Sequence, residues 1–150
     1  MTTAWTDGVR RIVVGLDGSA AAAAGVAAAV TIAAHFGAQV VGVHATGLLD
    51  VWRVHEDGGD PTEGIAEQLR GPWSEALRTS GITYRLEQRN GPPADVMLAV
   101  ADEVDADLIV VGSRGTGDTP LGELGSTSGK IVRRSGRAVL VVPDANPDPS

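Results

Sequence analysis

The sequence predicts an α/β domain: a mainly parallel sheet, doubly wound, with helices on both faces. Two observations carry this. Short runs rich in Val, Ile and Leu alternate five times with longer segments of helical composition, the order that builds strand–helix–strand units. The runs at 11–16, 108–111 and 138–142 are nearly continuous in apolar residues, as strands covered on both faces are. The length of 150 residues suits a single domain with its own core.

Taken in order, residues 1–10 read as a lead-in, and the ordered core is expected over about 9–143. Residues 11–16 are β-rich and too short for a helix. Asp17, Gly18 and Ser19 follow as a turn, with Ser19 as helix N-cap. Residues 20–36 are dominated by alanine and end at Gly37, a suitable C-terminal stop. Residues 39–44 form the second strand, 61–80 a single helix closing at Gly81, and 82–88 an alternating third strand. Pro92 or Pro93 opens the next helix, since proline fits a first turn. Val96, Val100 and Val104 give it an apolar stripe. The fourth strand covers 108–111, a helix runs from Gly125 to about 135, and the fifth strand, 138–142, stops at Pro143. The tail 144–150, with its prolines and acids, is expected to be disordered.

One connection is out of proportion. Residues 46–60 separate the second strand from the next helix, where about 2–6 residues are usual. The segment holds Trp52, His55 and several acids. Two readings fit it, a cover over a ligand and a solvated connector.

Composition removes several classes of function. The formal net charge of −7 argues against the basic face that nucleic acid or an anionic membrane requires. There are no cysteines, so neither disulfides nor cysteine-based zinc sites occur, and a reducing compartment fits. The opening residues do not read as a leader, and no apolar run approaches the roughly 20 residues that span a bilayer. A soluble, cytoplasmic protein is expected.

The most informative motif is G-x2-G-x9-G-S: Gly112, Ser113, Arg114 and Gly115, then Gly125, Ser126, Thr127 and Ser128. A buried strand precedes it and a helix start ends it. Glycine permits close backbone approach, and free N–H groups at a helix start attract an anion. Glycine is common here, 20 of 150 residues, so chance spacing is the rival reading. The flanking strand and helix favour phosphate binding. Other glycine fingerprints fail: G-x-G-x-x-G is absent after the first strand, and Leu124 and Ile131 break a P-loop ending at Lys130.

In sheets of this kind ligands bind outside the carboxyl ends of the strands, where Asp17, Ala45 and Gly112 fall. Asp17 can accept from a ribose hydroxyl or an adenine amino group, or cap its turn. Arg114 can fork onto phosphate or stay solvated. Ser126, Thr127 and Ser128 can cap the helix, bind phosphate, or both. His35, His44 and His55 lack metal-ligand spacing, and His44 reads as a packed, hydrogen-bonded histidine. There is no G-x-S-x-G nucleophile elbow and no evident general base.

These residues resemble the universal stress protein family in its ATP-binding branch. The likeness rests on residues 12–19, 41–45, and the stretch from Gly112 through Ser128 to Pro143. It implies a Rossmann-like, five-stranded parallel sheet in the order 3-2-1-4-5. It implies that Gly15 and Asp17 lie at the adenosine end and that the Ala45 backbone meets adenine. Gly112, Ser113, Arg114 and Gly115 would line the ribose and phosphate path. Gly125, Ser126, Thr127 and Ser128 would hold the phosphates, with Mg²⁺ or Mn²⁺ carried by them. It further implies a homodimer in which Val139, Leu140, Val141 and Val142 pair with their twins. The chain departs from the family at Gly15, Ala45 and Gly129, and carries Asp118 and Glu123 between the glycine pairs.

The function these readings favour is a homodimeric, ATP-binding sensor or regulator of stress response, with at most slow hydrolysis. A nucleotide-independent interaction module is the alternative. An adenine-nucleotide enzyme on the same architecture ranks lower, because an S-G-G-x-D-S-like loop is missing after the first strand.

Overall fold

The computed structural model describes residues 8–46, 61–113 and 124–143. Five strands, β1 (Arg11–Gly15), β2 (Gln39–Thr46), β3 (Tyr84–Asn90), β4 (Leu108–Gly112) and β5 (Ala138–Val142), form one sheet in the order β3-β2-β1-β4-β5. Every pairing is parallel. The expected architecture and strand order are therefore present.

Helix α1 (Ala20–Phe36) is bounded as the sequence predicts. The Ser19 hydroxyl accepts from the Ala22 N–H at 3.1 Å. Gly37 closes the helix in the left-handed region at φ 69°, where a Cβ is unfavourable. On the same face lie α2 (Pro61–Arg70) and α3 (Glu75–Thr79), whose Leu69 and Leu77 are buried with Val26, Ala29, Ile12, Val14 and Val40. The opposite face carries α4 (Pro93–Val104) and α5 (Ser126–Arg134). Their Val96, Met97, Val100 and Ile131 are buried against Val13, Val41, Val43, Ile109 and Val111. The chain winds one face before β3 and the other after it, so strand order reverses between β1 and β4.

Three expectations change. β2 runs to Thr46, two residues past the expected end at His44, and so takes in the first residue of the expected 46–60 connection. Residues 61–80 are not one helix: α2 stops at Arg70, a 3-10 turn spans Pro72–Ser74, and α3 follows. Pro72 restricts the residue before it away from helical geometry, and Gly71 takes φ −101°, ψ −113°. The Arg78 guanidinium crosses the break, donating to the carbonyls of Arg70 and Gly71 and to the Ser74 hydroxyl. The third strand begins at Tyr84 and ends at Asn90, two residues later than expected at each end. Gly81 at φ 80° and the Ile82 N–H on the Ser80 hydroxyl extend the turn. Pairing with β2, from Val40 opposite Tyr84 to Thr46 opposite Asn90, then sets the register. The tail 144–150 and residues 47–60 lie outside the described residues.

Candidate functional site

The carboxyl ends of β1 and β4 flank the point of reversal, where open parallel sheets bind ligands. The β1 side is the turn from Leu16 to Ser19. Leu16 extends the ladder by donating to Val43 at 2.8 Å. The half-buried Asp17 accepts from the Ser19 N–H at 2.9 Å, an Asx turn that leaves its second oxygen available. Gly18 takes φ +82°. Gly15 faces α4, where an added Cβ would meet the Met97 sulfur at 3.0 Å. Ala45 is half-buried near the end of β2, paired with Arg89.

On the β4 side, the close approach at Gly112 comes from the protein itself. A Cβ there would stand 2.7 Å from the Ala21 carbonyl carbon and 2.8 Å from the Ala21 Cβ. The absence of a side chain lets the first turn of α1 lie against the end of β4. Ser113 then ties β4 to both β5 and α5. Its N–H donates to Val142 at 2.8 Å, and its carbonyl accepts from the Gly125 N–H at 2.7 Å and from the Ser128 hydroxyl at 3.1 Å. Ser128 also donates to the Gly125 carbonyl at 3.1 Å and is buried, so its hydroxyl clasps the helix start from within. Arg114 and Gly115 lie outside the described residues.

This clasp fixes the start of α5 beside the end of β4. Gly125, the N-cap, supplies no capping side chain. The first intrahelical bond joins the Gly129 N–H to the Gly125 carbonyl. The N–H groups of Ser126, Thr127 and Ser128 therefore have no intrahelical acceptor, and they carry the positive end of the helix dipole. The side chain of Ser126 is exposed and that of Thr127 half-buried. Arg133 and Arg134 occupy the last turn, where cations suit the dipole. The arrangement can hold an anion by main-chain amides without a cluster of cations. Among the described residues, no group of three or more His, Asp or Glu is placed to hold a metal ion.

Two residues outside the motif complete the β1 side. His44 is buried at 7% exposure, and its Nδ1–H donates to the Leu16 carbonyl at 2.7 Å. Trp73, from the 3-10 turn, lies against Gly18, where a Cβ would fall 2.7 Å from the indole Nε1. The sequence marks His44 as a packed residue, but no periodicity links Trp73 to a turn 55 positions earlier.

A cleft of about 550 Å³ lies elsewhere, between α2 and β3, lined by residues including Leu69, Tyr84, Leu86 and Gln88. Its Arg78 is engaged at the α2 break. The β1–β4 crevice has the stronger claim because these neighbouring strands end in a carboxylate turn and an uncapped helix start. Among the described residues, no helix is long and apolar enough to cross a membrane.

Fold and strand ends define the class: a doubly wound α/β domain with a carboxylate turn and an uncapped helix start at the carboxyl edge of its sheet. A model of the universal stress protein family matches residues 8–143. A universal stress protein of Methanocaldococcus jannaschii is 32% identical over 146 residues, 89% of this chain and 81% of that one. One from Synechocystis sp. is 38% identical over 90 residues, a match that spans 59% of this chain and 57% of the relative's length. The crystal structure of a universal stress protein in complex with cAMP is 32% identical with a TM-score of 0.69, covering 91% of this chain and 98% of that one. The chain belongs to the universal stress protein family.

Proposed function

We propose that this protein binds an adenine nucleotide at the β1–β4 crevice and acts as a nucleotide-dependent sensor in stress response, with ATP as the resident ligand. The observation that carries the reading is the start of α5: three main-chain N–H groups without intrahelical acceptors, clasped to the end of β4 by Ser113 and Ser128. Asp17 stands across the crevice on the β1 turn, suited to a ribose hydroxyl or an adenine amino group. The similar structure holding cAMP supports the adenine moiety. Gly112, Ser113, Arg114 and Gly115 would follow the ribose and phosphates, and Ala45 would offer its backbone to the base. When bound, Mg²⁺ or Mn²⁺ would neutralise phosphate charge. Among the described residues no general base is evident at the crevice, and we take hydrolysis to be at most slow.

The test is mass spectrometry of small molecules released from freshly purified protein, followed by unfolding with ATP, ADP and cAMP. At a hundredfold excess over Kd, the resident nucleotide adds about 2.7 kcal/mol of stability. No released nucleotide and no stabilisation by any of the three would sink the reading.

The protein is further proposed to work as a homodimer through β5. This strand lies at the sheet edge, its sequence AVLVV is wholly apolar, and all its residues remain half-buried. An apolar edge invites pairing with another strand, and an antiparallel twin supplies one. Sedimentation of the full chain should show a dimer. A monomer at micromolar concentration would remove this part.

A further inference from the structure

Asp17 sits between two residues that are held from opposite directions. Leu16, before it, has its carbonyl fixed by His44 Nδ1 at 2.7 Å. A carbonyl only accepts, so Nδ1 carries a proton, and in the neutral ring Nε2 is then an acceptor. That Nε2 is buried and has no hydrogen-bond partner among the described residues. Gly18, after Asp17, takes φ +82° beneath the indole of Trp73. The His44 and Trp73 rings are themselves neighbours, with centroids 5.1 Å apart and planes tilted by 49°. Three chain segments distant in sequence thus meet on one turn.

A histidine is a costly choice for this position. An apolar side chain of similar size would fill the space without an unpaired ring nitrogen, but it would strip the buried Leu16 carbonyl of its His44 donor. What the imidazole adds is the single N–H that grips Leu16. Trp73 is anchored in turn: Ser74 beside it is fully buried and accepts from Arg78 at 2.8 Å. The indole thus reaches the turn from a segment held by its own hydrogen bonds.

We propose that His44 and Trp73 are positioning residues that lock the Leu16–Ser19 turn so that Asp17 is presented to the nucleoside. His44 acts through its Nδ1–H and Trp73 through its ring against Gly18. The proposal rests on the nucleotide reading above, but its effect on the turn is measurable without ligand.

The experiment compares His44→Asn, which keeps an N–H where Nδ1 stands, with His44→Leu, which removes it. Trp73→Phe and Trp73→Ala form the second pair. ATP affinity is measured by calorimetry, and amide exchange is followed at Ser19 and Ala22 against the buried strand residues Val13 and Val110. His44→Leu should weaken ATP binding and speed exchange at Ser19 by about tenfold each, the worth of one net hydrogen bond. His44→Asn should stay within about threefold of the parent on both, a fraction of that bond. Trp73→Phe should resemble the parent and Trp73→Ala the leucine variant. Equal losses in His44→Asn and His44→Leu would overturn the proposal. So would unchanged exchange at Ser19, or exchange that rises equally at Val13 and Val110, the mark of general destabilisation. If the parent protein binds no ATP, the nucleotide reading falls and the exchange data alone decide the locking of the turn.

Discussion

Replacing Gly112 with alanine tests what this glycine is for. The new Cβ would lie 2.7, 2.8 and 2.9 Å from the carbonyl carbon, Cβ and carbonyl oxygen of Ala21. Comfortable carbon contacts begin near 3.5 Å, so the shortfall is roughly 0.8 Å. The obstructing atoms are mostly helix backbone, with no rotamer to yield. Either α1 lifts from β4, disturbing the buried Val26, Ala29 and Ala33, or the end of β4 bends. Overpacking of this kind costs about 1–3 kcal/mol, and the rigid neighbour places this site near the upper end. Gly25 provides the control. It belongs to the same helix and faces the same strand, yet a Cβ there meets Val110 at 3.6 Å and the Gly112 nitrogen at 3.7 Å, ordinary contacts. Gly25→Ala should therefore stabilise α1 by about 0.5–1 kcal/mol. Urea unfolding followed by circular dichroism, at unchanged m-value, measures both. A Gly112→Ala protein within about 0.5 kcal/mol of the parent, well below the overpacking range, would refute the steric argument. So would a Gly25→Ala protein as destabilised as Gly112→Ala.

Three further outcomes rest on the same kinds of contact. Ser128→Ala removes the donor shared by the Ser113 and Gly125 carbonyls. Both keep a backbone partner, so unfolding should show a loss of only about 1 kcal/mol. Gly18→Ala should cost about 1–2 kcal/mol for the left-handed backbone alone, and it must also displace the indole. The fluorescence of Trp73 should shift in a protein whose Trp5 and Trp52 are phenylalanine. Arg137→Met should cost about 1–2 kcal/mol in urea unfolding. This arginine ties β5 to the end of α4 through Asp102, Asp105 and the Ala106 carbonyl, and the two carboxylates raise its pKa above the usual value.

Where local chemistry decides, the chain could be read directly. Helix α1 starts and stops where Ser19 and Gly37 place it, because a cap and a left-handed stop act within one turn. The apolar runs became β1, β4 and β5, since such runs have no solvent-facing side to offer. The break at Gly71-Pro72 is also written in the residues, although the surrounding helical composition masks it. The third strand was harder. Its charged alternation of Arg85, Glu87 and Arg89 with Tyr84, Leu86 and Gln88 does not define its ends, and pairing with β2 does. At the end of β4, the glycine–serine spacing revealed a helix start, but not the reasons for the individual residues. Gly112 is small because α1 passes against it, and Ser128 is a hydroxyl because two carbonyls converge on it. Leu16, His44 and Trp73 meet only after the sheet has brought β1 beside β2 and the chain beyond α2 has turned back over them. Periodicities, caps and the glycine–serine motif were legible from the residues alone, since these act between positions a few apart. Contacts between distant segments, and with them the shape of the turn that carries Asp17, exist only once the sheet and its helices have packed.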